Sequence, residues 1–341
     1  MGHWYFPKVV EENVPASRGG HSCVKLEGNK ALIFGGANHE AQGHDDLWLL
    51  DFGSGQCRWT PVMPSQPGGK PIGLSGASLT LIGDTVYLFG GQEPQTGRVH
   101  DDLWELDSIK MEWNLVKVAV KPGGRHSHSA CILKENSLLI FGGSGHQGEL
   151  LADMWVFKRE DCNWYRLNSP EGRQPMPREM HVTQMVDPST MLMYGGRGFS
   201  NRVLCDAALF DSNMMQWRNV VYTAFQRCAH TATIVETTHK QNDPDQNGEG
   251  NSDNRPRKSV LIYGGFTGEV VEGDLLEMDI ESLETRLLCP GPHGNESQKI
   301  PPPRFAHSAI SVAEEDAGEA MMVFGGVNLR GALNDVAIWQ Q

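Results

Sequence analysis

The chain has 341 residues, 29 of them basic and 42 acidic, for a net charge of −13. Such a chain is repelled by phosphate backbones and acidic membrane surfaces, which disfavours a general nucleic-acid role while leaving room for a local basic patch. No stretch approaches ~18 consecutive apolar residues, so no membrane-spanning helix is expected, and 39 glycines without a G-X-Y period exclude collagen.

Near the start, Trp4-Tyr5-Phe6 reads as a short strand, followed by a loop to Arg18 and His21. An apolar run then ends at Phe34 before Gly35-Gly36, and Asp46-Leu47-Trp48 and Trp59 follow. The pattern recurs: Phe89 before Gly90-Gly91, then Asp102-Leu103-Trp104 and Trp113. The third unit has Arg125, His128, Phe141, Gly142-Gly143, Asp153-Met154-Trp155 and Trp164. The fourth has Arg178, His181, Tyr194, Gly195-Gly196, Asp206-Ala207-Ala208 and Trp217. The fifth has Arg227, His230, a polar insertion at 239–258, Tyr263, Gly264-Gly265 and Asp274-Leu275-Leu276, with Thr285 or Arg286 in place of the second Trp. The sixth opens with a proline-rich insertion at 289–303, then Arg304, His307, Phe324, Gly325-Gly326 and Asp335-Val336-Ala337.

The doublets are 55, 52, 53, 69 and 61 residues apart, and His21, His128 and His181 each stand 14 residues before the first glycine. In the second unit that spacing puts Gly73 and Gly76 in the Arg and His slots. A short apolar run stopped by Gly-Gly reads as a buried strand, and helix signals are nearly absent. Four strands per unit, six times over, predict an all-β, six-bladed β-propeller occupying residues 1–341 as a single domain. The sixth unit ends before a second Trp, so the N-terminal strand should close the ring by joining the last blade. The polar insertion at 239–258 should be a loop, and the one at 289–303 a long surface loop that can overhang the binding face.

Glycine at the doublets permits positive φ and close approach; the tryptophans should wedge between blades. The five repeated arginines, Arg18, Arg125, Arg178, Arg227 and Arg304, fall on one level of the ring. Two readings stay open. They form a rim of forked donors for carboxylates or phosphates, or each pairs inside the blades with the Asp of an Asp-Leu-Trp step. The repeated histidines sit on separate blades, too far apart to converge on one ion, so no metal and no cofactor is expected. The loops after the doublets should share the arginine face; they carry His39, Arg98, His146, Arg197, Phe199, Arg202 and Arg330, a mixture suited to protein binding.

The doublets, Arg-x-x-His steps, Asp-Leu-Trp steps and spaced second Trp resemble the kelch-repeat family over essentially the whole chain. The resemblance is nearest to intracellular all-kelch proteins, such as the Rab9-effector type and the kelch-domain-containing substrate receptors. It implies a monomeric, non-enzymatic adaptor or scaffold that binds a peptide or partner protein on its loop face, with an acidic segment or free carboxylate favoured by the arginines. Some kelch relatives are enzymes, so a sialic-acid mutarotase is the alternative. Seven cysteines without a C-x-x-C pair, and no secretory signal, point to a cytoplasmic location with nuclear access open.

Overall fold

The computed structural model describes residues 2–10, 13–63, 69–134, 136–168, 173–237, 257–292, 300–314 and 318–340. Six antiparallel sheets follow one another along the chain. Blade 1 runs Gly19–Lys25, Lys30–Ala37, Leu47–Gly53 and Gln56–Val62 from the axis outward. The inner strands of blades 2 to 6 are Ser78–Ile82, Ser129–Leu133, Val182–Asp187, Thr231–Thr237 and Ser308–Glu314. The outer strands of blades 2 to 5 are Glu112–Leu115, Asn163–Arg166, Gln216–Tyr222 and Thr285–Cys289. The chain is a six-bladed propeller.

Closure is as the sequence predicts. His3–Tyr5 pairs antiparallel with Val336–Gln340 and becomes the outer strand of blade 6. The segment then crosses to blade 1, where Lys8–Val9 adds a parallel strand along Gln56–Cys57. A second closure, around the axis, left no side-chain signature in the repeat. Gly20 N–H donates to the Ala306 carbonyl, Ala306 to Ala229, Ala229 to Met180, Met180 to Ser127, Ser127 to Gly76 and Gly76 back to Gly20, all at 2.7–2.8 Å. All six residues have positive φ, from 51° to 68°, which turns each N–H toward the preceding blade.

Adjacent blades share one packing unit. In four of the six blade junctions the aromatic before the doublet contacts both the histidine and the second tryptophan of the next blade: Phe89 meets His128 and Trp164, and Phe141 meets His181 and Trp217. Phe324 meets His21 and Trp59, and Tyr263 meets His307 and Trp4. The histidines stand edge-on, an arrangement the ring quadrupole favours. In blade 5, where this Trp is missing, buried Leu283 joins the core cluster of Tyr194 instead.

The doublet glycines are required by these contacts. A Cβ on Gly142 would come 2.8 Å from the Arg178 carbonyl of the next blade, and one on Gly143 2.8 Å from Cβ of its own His128. Their φ values of 65° and 98° disfavour any other residue.

The insertion expected at 239–258 lies almost wholly outside the described residues, as does 293–299 within the insertion at 289–303.

Candidate functional site

In each blade the loop after the doublet and the crossing from the outer strand to the next blade emerge at the same end of the ring. The Arg-x-x-His steps open the inner strands at that end, so the face carrying the loops lies directly over them.

The arginines do not form an open rim. Arg18, Arg125, Arg178, Arg227 and Arg304 are at most 4% exposed. Arg178 donates from Nη1 to Asp206 Oδ1 at 2.8 Å and from Nη2 to Oδ2 at 2.7 Å, while Nη1 also reaches the Gly195 carbonyl. Arg18 grips Asp46, Arg125 grips Asp153 and Arg304 grips Asp335 in the same two-bond manner. Trp48 and Trp155 donate their indole N–H to the same aspartates, which gives the Asp-Leu-Trp and Asp-Met-Trp steps a chemical reason. Burial alone would raise Asp46 and Asp153, but the arginine and tryptophan donors outweigh it and hold both carboxyls below their ordinary value. Arg227 makes one bond to Asp274, at 2.6 Å; there burial outweighs the arginine and the carboxyl is raised. Of the two readings of these arginines, pairing inside the blade describes their geometry.

Blade 2 departs from the repeat in a different register from the one the spacing predicts. Leu74 and Ala77, not Gly73 and Gly76, occupy the Arg and His slots. The Leu74 carbonyl accepts from Gly36 N–H as the Arg125 carbonyl does from Gly91. The inner hairpin of blade 2 turns through two residues between Ile82 and Thr85, against three between Leu133 and Ser137 in blade 3, which shifts the count by one. Asp102 consequently faces Lys121 at 3.8 Å and His100 at 3.9 Å rather than an arginine.

The histidines tie blades together. Nε2 of His21, His128, His181 and His307 lies 2.8–2.9 Å from the hydroxyl of Ser308, Ser78, Ser129 and Thr231 on the preceding blade. Burial pushes His21, His128 and His230 down to about 3, with the neighbouring arginine charge adding to the fall, and holds His181 and His307 well below their ordinary value. The rings of His21, His128, His181 and His307 are neutral hydrogen-bonding struts, whereas His230 packs edge-on against Tyr194 with neither nitrogen bonded among the described residues.

Most of the other predicted residues are accessible. His39, Arg98, His146, Phe199, Arg202 and Arg330 are exposed on the loops after the doublets. Phe199 is 60% exposed and Leu329 is 91% exposed, on blades 4 and 6, with exposed Val270 on blade 5 between them. Arg197 lies deeper: its Nε and Nη2 both donate to Glu179 Oε1, at 3.1 and 2.7 Å.

The mouth of the axis was missed by sequence reasoning. The first residue inside each Arg-x-x-His step bridges to the residue after the doublet, as in Ser75 with Gln92, His126 with Ser144, Glu179 with Arg197, Cys228 with Phe266 and Phe305 with Val327. These pairs vary between blades while their neighbours repeat, and that contrast was the available signal. Polar residues sit on blades 2 to 4 and aromatic ones on blades 5 and 6. Burial lowers His126, with Glu179 opposing and Arg197 assisting the shift.

A cavity of about 450 Å³ opens on the same face between blades 4 and 5. Its lining includes Val203, Leu204, Met176 and Tyr222 together with Arg173 and Arg202.

Residues 2–196 match the family model described as the KLHDC2/KLHL20/DRC7 Kelch-repeats domain, and residues 117–327 match the Attractin/LZTR1 beta-propeller. Among curated proteins, the chain is 30% identical over 303 residues to acyl-CoA-binding domain-containing protein 4 of Arabidopsis thaliana, covering 87% of this chain and 42% of that protein. It is 27% identical over 246 residues to an F-box/kelch-repeat protein of the same plant, covering 65% of this chain and 50% of the relative. It is also 28% identical over 274 residues to host cell factor of Drosophila melanogaster, covering 69% of this chain and 18% of the relative. The chain thus spans half or less of the length of these relatives. No helix among the described residues is long and apolar enough to cross a membrane. With both family models covering more than half of the chain, and the repeat geometry as described, this protein belongs to the kelch-repeat β-propeller family.

Proposed function

We propose that the chain is a protein-interaction module, an adaptor or scaffold, that grips a peptide or folded partner on its loop face. The observation that carries this is the concentration of exposed Phe199, Val270 and Leu329 with Arg98, Arg202 and Arg330 on the loops of one end. Aromatic and arginine side chains are the usual anchors of protein interfaces. The partner-facing arginines are those of the loops, with Arg197 at the axial mouth, and not the repeated five. Loop arginines favour a partner carrying carboxylates. The F-box/kelch relative supports an adaptor reading, since its name pairs the repeat with a second module. The alternative, an enzyme acting on a sugar acid, would have to take its carboxylate-binding arginines from the loops, because the repeated arginines already hold aspartates.

Photo-crosslinking tests the proposal. A benzophenone side chain at Phe199 or Leu329 should capture a protein partner in cells, and one at Ile109 or Met214, on hairpins of the opposite end, should not. Equal capture from both ends would refute a face-specific module.

A further inference from the structure

The cavity between blades 4 and 5 is lined by two arginines, Arg173 and Arg202, for which no ion pair occurs among the described residues. Arg173 lies in the crossing that leads into blade 4. Its Nη2 donates to Tyr222 Oη at 2.8 Å, and its guanidinium sits 5.7 Å from the centre of the Tyr222 ring. A hydroxyl acceptor fixes the direction of the charge without supplying a counter-charge. Arg202, on the loop after the fourth doublet, is exposed, and its guanidinium makes no hydrogen bond or ion pair among the described residues. Both line one cavity of about 450 Å³, within the range of side-chain and ligand pockets. By contrast, the five repeated arginines and Arg197, Arg218 and Arg286 all face carboxylates.

The remaining lining defines the occupant. Met176 is 46% exposed and Tyr222 60% exposed, which gives an apolar and aromatic wall beside the two charges. Glu269 of blade 5 and Asp206 also line the cavity, the latter with its oxygens held by Arg178. These carboxylates penalise a doubly charged phosphate more than a singly charged carboxylate.

We infer that this cavity receives an acidic segment of the partner, with an Asp or Glu side chain held between Arg173 and Arg202 and an adjacent apolar side chain against Met176 and Tyr222. The inference rests on the loop-face reading above and adds the chemistry and position of one contact.

The test uses fluorescence anisotropy with a labelled peptide, Gly-Leu-Glu-Glu-Leu-Gly, blocked at its C-terminus so that no terminal carboxylate contributes. The full chain should bind it saturably below 1 mM. Arg173→Ala and Arg202→Ala should each weaken binding about tenfold, as should replacing both glutamates by glutamine, because each removes a charge-assisted contact. Tyr222→Phe should weaken it less, since the ring stays. Both arginines are exposed, so the variants should melt like the parent. Equal binding of the Glu and Gln peptides, insensitivity to both arginine variants, or tighter binding of a phosphoserine version would overturn the assignment, as would no saturable binding. If Phe199→Asp removes peptide binding while the arginine variants do not, the face reading stands and the cavity assignment fails. If no variant on this face matters to a peptide that does bind, both fail.

Discussion

Arg178 and Asp206 meet through two parallel hydrogen bonds of 2.8 and 2.7 Å, both side chains largely buried, one opening the inner strand of blade 4 and the other its third strand. This clamp joins the doublet, the axis and the Asp-containing step into one unit, and it recurs with small changes in five blades. Removing one partner leaves a buried charge without its counterpart. Arg178→Ala should therefore cost about 3–5 kcal/mol in urea denaturation. Arg178→Leu with Asp206→Asn should recover much of that loss, since blade 2 already carries Leu74 in this slot. A loss under about 1 kcal/mol for Arg178→Ala would contradict the clamp.

Trp113 is 1% exposed and packs on Phe34 of the preceding blade at a ring separation of 5.6 Å. Trp113→Ala removes this wedge and leaves a cavity, with an expected cost of about 3–5 kcal/mol. The same substitution at Trp164 should cost a similar amount, because it stands 5.0 Å from Phe89 in the equivalent position.

Deleting residues 1–10 removes the outer strand of blade 6, the Trp4 contact with Tyr263 and the strand added to blade 1. It exposes strand edges on two neighbouring blades. The truncated chain should melt well below the parent, and its open edges should promote association in gel filtration. Unchanged melting would contradict closure by the N-terminal strand.

The buried histidines set the pH dependence. In the unfolded chain each returns to about 6.5, whereas in the ring His21, His128 and His230 are held near 3. Between these values the unfolded chain binds protons that the folded ring does not. Stability is thus fully present above pH 6.5 and falls as pH drops toward 3, by about 1.4 kcal/mol per pH unit for each histidine. Asp46 and Asp153, whose carboxyls are lowered, add a further loss only as pH falls below 3.8. Asp274, whose carboxyl is raised, acts in the opposite sense: its contribution is present below 3.8 and lost as pH rises through its folded value. Urea midpoints should be level above about pH 7 and fall steeply from about 6.5 to 5. A flat profile through that window would show that the rings can take up protons in the fold.

The ring was legible because its rules are local and repeated. Positive φ and close approach both demand glycine at Gly142 and Gly143, and Trp4 marks the closing strand by sharing the slot of Trp113. The clamp was also written in the spacing: Arg18 and Asp46, Arg125 and Asp153, and Arg178 and Asp206 are each 28 residues apart. What spacing alone does not give is whether such a pair is closed or open to a ligand, because that depends on burial. Leu74 was misplaced by one residue, since a shortened hairpin is invisible to a count from the doublet. The backbone ring through Gly20 and Ser127 leaves no side-chain pattern to read beyond small residues in most slots. Arg173 falls outside every repeat slot, and its partner Tyr222 is 49 residues further on.

The central claim is that partner binding belongs to the exposed loop residues and the fold to the buried arginines. It is tested most directly by measuring the affinity of the crosslinked partner, once identified, for variants that still melt like the parent. Phe199→Asp and Leu329→Asp on the loop face should each weaken binding about tenfold or more, while Ile109→Asp and Met214→Asp on the opposite end should leave it unchanged. Retained affinity in both loop variants, or loss in either variant of the opposite end, would contradict the account.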